Sequence, residues 1–190
     1  MKRRITWCLA LVSFTCAAVG VFSSSAIAEA ANNNDTLATT AAVCVVVPVG
    51  RNDTSGTLRF TQNGRTVHIT GVIKGLSPGK HGFHVHQFGD LSGNKDGKST
   101  GGHYNPENSK HGKPSAKQRH VGDLGNITAD IRGVAKVDIT DNVISLSGPH
   151  SVIGRSILIH AAPDDFGQPT GNAGARIGFG VIGIAKPSGA

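Results

Sequence analysis

Apolar residues in this chain come in short runs, at 43–47, 57–60, 66–73, 82–85, 134–140, 143–146, 157–161 and 181–184. The runs are rich in β-branched residues. Turn signals separate them, among them Asn63-Gly64, Ser77-Pro78-Gly79, Arg132-Gly133, Asp141-Asn142 and Gly148-Pro149. Val67 and Ile69 alternate with Thr66, His68 and Thr70, and Val137 and Ile139 with Lys136 and Asp138. That period of two marks antiparallel strands with one face buried. No stretch of ten residues carries a helical period. The pattern predicts an all-β domain of about eight strands, a Greek-key β-sandwich or flattened eight-stranded barrel with two long functional loops. Glycine, at 26 residues, fits many turns and shaped loops.

Upstream of these runs the chain changes character. Lys2-Arg3-Arg4 precedes a mostly apolar stretch from Ile5 to Phe22, and Ser23-Ser24-Ser25-Ala26-Ile27-Ala28 follows. A basic start, an apolar centre and an A-x-A site describe a secretory signal peptide over residues 1–28. An uncleaved anchor would need a similar apolar length, but Thr6, Ser13 and Thr15 interrupt this one and its end is cleavage-like. Residues 29–40 lack periodicity and read as a flexible lead-in. Residues 41–190 then make one domain, exported (secreted, periplasmic or in a secretory-pathway lumen) and free of the membrane after cleavage.

Cleavage removes Lys2, Arg3 and Arg4, leaving 16 of the 19 basic residues against 12 acidic ones, so the net charge falls from +7 to +4. Aromatics are 5% of the chain and no basic run exceeds three residues, so nucleic acid is not an expected partner. Cys8 and Cys16 leave with the leader, and Cys44 alone cannot form an internal disulfide. Its setting, Ala41-Ala42-Val43-Cys44-Val45-Val46-Val47, is that of a buried strand thiol.

The histidines carry the chemistry. Six of the nine lie between His81 and His120, with Asp123 close behind, and neutral imidazole is the commonest side-chain metal ligand. His84 and His86 sit two apart on a strand, so they leave one face about 6–7 Å apart, with Phe83 and Val85 turned to the core. His103, His111, His120 and Asp123 follow in a Gly-, Pro-, Asn- and Lys-rich loop, and His160 ends the run Ser156-Ile157-Leu158-Ile159-His160. Three histidines and an aspartate suit a closed zinc site. His84, His86 and His160 make a nitrogen-only set suited to copper. The acidic stretch from Asp90 to Gly97 is no calcium loop, since Lys95 stands where such a loop needs glycine.

Gly82-Phe83-His84-Val85-His86, Gly102-His103-Tyr104-Asn105-Pro106, Arg119-His120-Val121-Gly122-Asp123-Leu124-Gly125-Asn126 and Gly171-Asn172-Ala173-Gly174-Ala175-Arg176 resemble the signatures of Cu/Zn superoxide dismutases. The likeness runs from about residue 42 to residue 186, with its blocks in family order. It implies one copper per subunit on His84, His86, His103 and His160, and one zinc on His103, His111, His120 and Asp123, His103 bridging the two. Asp164 matches the carboxylate that links a copper histidine to a zinc histidine. Arg176 matches the arginine that guides the anion, and His103 with Arg176 would carry the catalysis. The implied reaction is dismutation of superoxide to O2 and H2O2 by copper redox cycling. His81 would tie loops by hydrogen bonds, while His68 and His150 are surface residues on this reading.

The chain departs from the family in three places. Most members staple the loop before the first zinc histidine to the strand after the arginine by a disulfide, but the loop here reads Ser92-Gly93-Asn94-Lys95-Asp96-Gly97-Lys98 and the late position is Phe179. Phe179 is expected to replace the staple by packing. The segment 165–170 is short and carries no steering charge beyond Asp165, which leaves steering to Arg176 and nearby lysines. The segments 181–184 and 151–154 match surfaces that pair in homodimers, so a homodimer is expected, with the altered loop at its border. Asn34, Asn52 and Asn126 each begin an N-x-[ST] sequon. The alternatives are a copper-binding or copper-transfer protein on the same fold and a non-enzymatic sandwich module, neither of which requires the full residue set.

Overall fold

The structure, a computed structural model, describes residues 39–186. The expected signal peptide, nearly all of the lead-in and the Asn34 sequon lie outside the described residues. Eight strands form, β1 (Ala41–Pro48), β2 (Ser55–Asn63), β3 (Thr66–Lys74), β4 (Gly79–His86), β5 (Asp123–Ala129), β6 (Ala135–Asp141), β7 (Ser156–His160) and β8 (Arg176–Ile184), with one 3-10 turn at Lys98–Thr100. They close into a barrel in the order β1-β2-β3-β6-β5-β4-β7-β8, every neighbouring pair antiparallel. The all-β, flattened-barrel expectation holds.

Alternation fills the interior. Cys44 and Val46 on β1, Leu58 and Phe60 on β2, Val67 and Ile69 on β3, Phe83 and Val85 on β4, and Ile157 and Ile159 on β7 belong to one buried cluster. Cys44 is fully buried and unpaired, and burial pushes its thiol up to about 12. β4 and β7 are buried nearly throughout. Their outward residues lie under long connections at 87–122 and 161–175, so these strands present a covered platform rather than a wet face.

Two expectations about strands fail in instructive ways. Residues 143–146 are apolar yet form no strand. Ile144 and Leu146 are buried, but Val143 and Ile144 donate their amides to Asp141 Oδ1 and Leu146 to Gln62 Oε1. Side-chain acceptors replace a ladder there. Strand β5 is the one the apolar pattern omits. Leu124 and Gly125 oppose Phe83 alone, since Gly82 pairs with Asn126 and His84 with Asp123. Gly125 takes φ +80° at this bulge, which breaks the period of two that would have marked the strand.

The β5–β6 seam is also thin. Its ladder is a single pair, Ala129 with Ala135, next to the turn bond from the Asp130 amide to the Val134 carbonyl (2.9 Å). At the far end the buried Arg119 spans the gap, donating through Nη1 to the Asp123 carbonyl (2.6 Å) and through Nη2 to the Asp141 carboxylate.

A second apolar cluster lies outside the barrel wall. Val49, Leu158 and Phe179 are at most 1% exposed, and Leu91 of the 87–122 connection packs on them. Leu158 pairs with His84 on one side and Phe179 on the other, so all three leave the outer face. Phe179 therefore pins the loop to the wall by contact. Truncating Phe179 to Ala is expected to cost about 3–5 kcal/mol, read as a shifted urea midpoint. A thiol reductant should leave the melting temperature of the metal-loaded protein unchanged. A reductant-induced drop with both metals still bound would contradict this.

Candidate metal centre

The chain brings all seven predicted ligand side chains into two adjoining groups. One donor atom each from His84, His86, His103 and His160 lies within 4.8 Å of the others, and the same holds for His103, His111, His120 and Asp123. His103 belongs to both groups, and its ring lies tilted against that of His84 with centroids 4.0 Å apart. Strand β4 supplies His84 and His86, β7 supplies His160 and β5 supplies Asp123, while the 87–122 connection folds over them with the rest. All seven are buried.

On four of the six rings the outer nitrogen is occupied, which aims the inner one. His84 Nε2 donates to Asp164 Oδ2 (2.8 Å), His86 Nδ1 to the Gly101 carbonyl (3.0 Å), His160 Nδ1 to the Gly174 carbonyl (3.2 Å) and His111 Nε2 to Asp164 Oδ1 (3.0 Å). The opposite nitrogens of three of these rings, His84 Nδ1, His86 Nε2 and His160 Nε2, are buried without a hydrogen-bond partner, while His111 Nδ1 lies 3.0 Å from Asp123 Oδ2. Buried polar atoms are rarely left so. Three such atoms, turned inward beside a shared imidazole, fit a cation as their missing partner. Three nitrogen donors with His103 suit copper, and three histidines with a carboxylate suit zinc. On the zinc side His103 Nδ1 and His120 Nδ1 lie 2.9 Å and 3.0 Å from Asp123 Oδ1. Asp123 Oδ2 accepts from the amides of Gly112 and His120.

Asp164 links the two groups, touching His84 with one oxygen and His111 with the other. Two features of its setting were not legible in the sequence. Asn126 clips its main chain, Nδ2 donating to the Asp164 carbonyl (2.9 Å) while Oδ1 accepts its amide (2.7 Å). Both amide atoms of the Asn126 sequon are thus engaged in holding the Asp164 backbone. Asn52, in contrast, is exposed. Gly171 is the second feature, for a Cβ on it would fall 1.9 Å from Asp164 Oδ1 at φ +79°.

Arg176 opens β8 beside His160. Its Nη1 donates to the Gly97 carbonyl (2.7 Å) and the Thr100 hydroxyl (3.2 Å), and Nη2 to the Gly101 carbonyl (2.8 Å). It lines a cavity of about 420 Å³ together with Arg51, Lys95, Asp96 and Lys98. The histidines outside the donor groups have ordinary partners: His81 spans the His160 and Ser77 carbonyls, His68 pairs with Asp138 and His150 with Glu107.

Burial pushes His103 down to about 4 and His160 down to about 3, the neighbouring His84 adding to both, and it holds His86 well below the usual 6.5. Burial also opposes a charge on His111, but Asp123 and Asp164 at its two nitrogens outweigh it and raise that ring to about 9. The sign of the linkage follows. A histidine depressed in the fold supports stability above 6.5 and withdraws it as the pH falls, because the unfolded chain takes up the proton first. His111 does the reverse, supporting stability below 6.5 and losing it as the pH rises through about 9. Between pH 7 and pH 5 the first effect is the larger, His111 offsetting a small part of it as the pH falls to 6.5. Metal-free protein should therefore lose about 1–2 kcal/mol for each depressed histidine over that interval. Urea titrations at the two pH values check this, and equal midpoints would count against the buried, neutral assignment.

Comparison with known proteins bears on what the centre does. A family model described as copper/zinc superoxide dismutase matches residues 54–182. The chain is 49% identical over 148 residues to "Superoxide dismutase [Cu-Zn] 3" of Arabidopsis thaliana, covering 74% of this chain and 89% of that one. It is 44% identical over 160 residues to "Extracellular superoxide dismutase [Cu-Zn]" of Brugia pahangi, covering 79% of each. Among solved structures, that of the clock protein EA4 superposes with a TM-score of 0.72 at 45% identity, covering 78% of this chain and 96% of the other.

Proposed function

This chain belongs to the copper/zinc superoxide dismutase family, and from that premise we propose how its own residues divide the work of the enzyme. The protein is an oxidoreductase that dismutes superoxide to O2 and H2O2 and uses copper and zinc. Copper is assigned to His84, His86, His103 and His160, and zinc to His103, His111, His120 and Asp123. The three buried, unpartnered ring nitrogens of His84, His86 and His160 support the copper assignment, and the convergence of His103, His111 and His120 on Asp123 supports the zinc one.

Bound copper supplies the one-electron redox couple that superoxide dismutation requires. The remaining steps fall to the chain. Arg176 and the basic rim attract a small monoanion and orient it at the mouth. His103 Nε2 faces the copper set while its Nδ1 sits 2.9 Å from Asp123, so Nε2 can take up a proton and pass it to the forming peroxide without the ring turning away. Asp164 holds His84 and His111 in register, which couples the two sites mechanically.

The test is to load the mature protein with both metals, count them and assay dismutation. About one of each per chain with rapid, cyanide-sensitive turnover is expected. Two metals without turnover would point to copper storage or transfer, a reading that the relatives, named as superoxide dismutases, do not favour. Zinc alone would void the copper assignment.

Two further parts of the reading concern assembly and address. The neighbouring strands β1 and β8 expose Val45 (59%), Val47 (40%) and Val181 (36%). Such a patch supports a homodimer through this face, and sedimentation showing only monomer at micromolar concentration would reject it. Export after cleavage near Ala28 is supported by the leader-like sequence and the extracellular relative. Amino-terminal sequencing of protein recovered outside the cell checks it, and an intact Met1 terminus would refute it.

A further inference from the structure

Arg176 forms no ion pair among the described residues. Two carbonyls and one hydroxyl hold it, all of them uncharged. Neutral acceptors fix a guanidinium in place without cancelling its charge, which remains available to an anion. The hydroxyl is that of Thr100, a fully buried residue closing the 3-10 turn Lys98–Thr100. Its Oγ1 donates to the Gly97 carbonyl (2.8 Å) and accepts from Arg176 Nη1 (3.2 Å). The same carbonyl accepts from Arg176 Nη1 directly (2.7 Å). Thr100 Oγ1 thus completes a triangle with the guanidinium and the turn.

Other side chains tie the turn as well, Ser99 Oγ donating to the Asp90 carbonyl (2.6 Å) and Asp96 Oδ1 accepting from the Lys98 amide (3.0 Å), but only the Thr100 hydroxyl touches Arg176. Gly97, its first flanking residue, is left-handed at φ 69° and offers no capping side chain. A Cβ there would crowd Arg176 Cδ at 3.2 Å. Without the hydroxyl, the Gly97 carbonyl would be held only by the longer bond from the Thr100 amide (3.2 Å) and by Arg176 itself. On the other side, the Gly101 carbonyl accepts from both Arg176 Nη2 (2.8 Å) and His86 Nδ1 (3.0 Å). One short turn therefore sets the anion-binding charge and a copper ligand against each other.

We propose that Thr100 is the positioning residue for Arg176, its buried hydroxyl fixing the guanidinium edge that faces an incoming monoanion. This rests on the assignment of Arg176 and of the copper ligands given above. The probe is azide, a monoanion that ligates copper, titrated into copper- and zinc-loaded protein and followed by visible absorption. Thr100→Val should weaken azide binding about tenfold, the worth of a hydrogen bond to a charged group. Thr100→Ser should restore binding to within about twofold, since the hydroxyl is what matters. In an Arg176→Ala background Thr100→Val should add nothing, whereas a general loosening of the loop would weaken binding in both backgrounds. Thr100→Ala is measured alongside, so that a poorly folded valine variant cannot leave the question open. Wild-type azide affinity in the hydroxyl-less variants, with Arg176→Ala clearly weakened, would overturn the role of Thr100. Unchanged affinity in Arg176→Ala would instead overturn the assignment of Arg176.

Discussion

Replacing Arg176 with Glu should lower the dismutation rate of the metal-loaded protein about a hundredfold at low ionic strength, within the range that electrostatic focusing supplies. The direction follows from the sign of the field. The parent mouth is cationic, so added salt should slow it, the screening length falling to about 10 Å at 0.1 M. With Glu at 176 the attraction is largely offset, and the rate should become nearly flat in salt. Arg51, Lys95 and Lys98 share the cavity with Arg176 and would keep a residual pull. A glutamate would also face the Gly97 and Gly101 carbonyls that now accept from the arginine. Arg176→Gln therefore serves as the companion, removing the charge without adding a repelled carboxylate. Stopped-flow rates over a salt series decide the matter. A rate and salt slope equal to the parent's would remove Arg176 from the mechanism.

Asp164→Asn should have the next largest effect, and on metal retention rather than on fold. Burial opposes ionisation of Asp164, yet the bonds from His111 and His84 outweigh it and hold the carboxyl well below the usual carboxylate range. As a carboxylate it accepts from His84 Nε2 and His111 Nε2 at once. An asparagine could accept from one ring, but its amide hydrogens would confront the N–H of the other. Groups that orient metal ligands in this way are worth about 10- to 100-fold in affinity, so zinc affinity should fall by that factor. Competition against a chromophoric chelator measures it. Retained zinc affinity would mean that the backbone clip from Asn126 suffices to order the site without the carboxylate.

Much of this centre was legible in the chain itself. His84 and His86 are separated by one core residue on a strand, and period two alone puts them on one face with Phe83 and Val85 behind them. The ligands of the long connection could be gathered but not placed, since a loop has no period to read. The expectation for Phe179 survived because a large apolar side chain between Gly178 and Gly180 needs cover, and Leu91 gives it. What could not be read were groups whose role depends on backbone geometry. Thr100 looks like any hydroxyl in Lys98-Ser99-Thr100, and Asn126 looks like a glycan acceptor. Arg119 gives no sign that it will span two strands. Strand β5 was hidden by the bulge at Gly125, and the apolar segment 143–146 misled because burial does not require a ladder.

The thin β5–β6 seam has a consequence for how the molecule breathes. Elsewhere in the barrel each strand is zipped to its neighbour by four or more residue pairs, whereas here one pair and one guanidinium bridge the gap. Amide deuteration under native conditions should reach the facing edges of β5 and β6 well before the β2–β3 hairpin, by a local opening that leaves the rest folded. Asp123 stands at the head of that seam, so the first wall to part is the one carrying the proposed zinc donor. Bound zinc would then act as the latch, and its occupancy should register as slowed exchange along β5, remote from any redox chemistry.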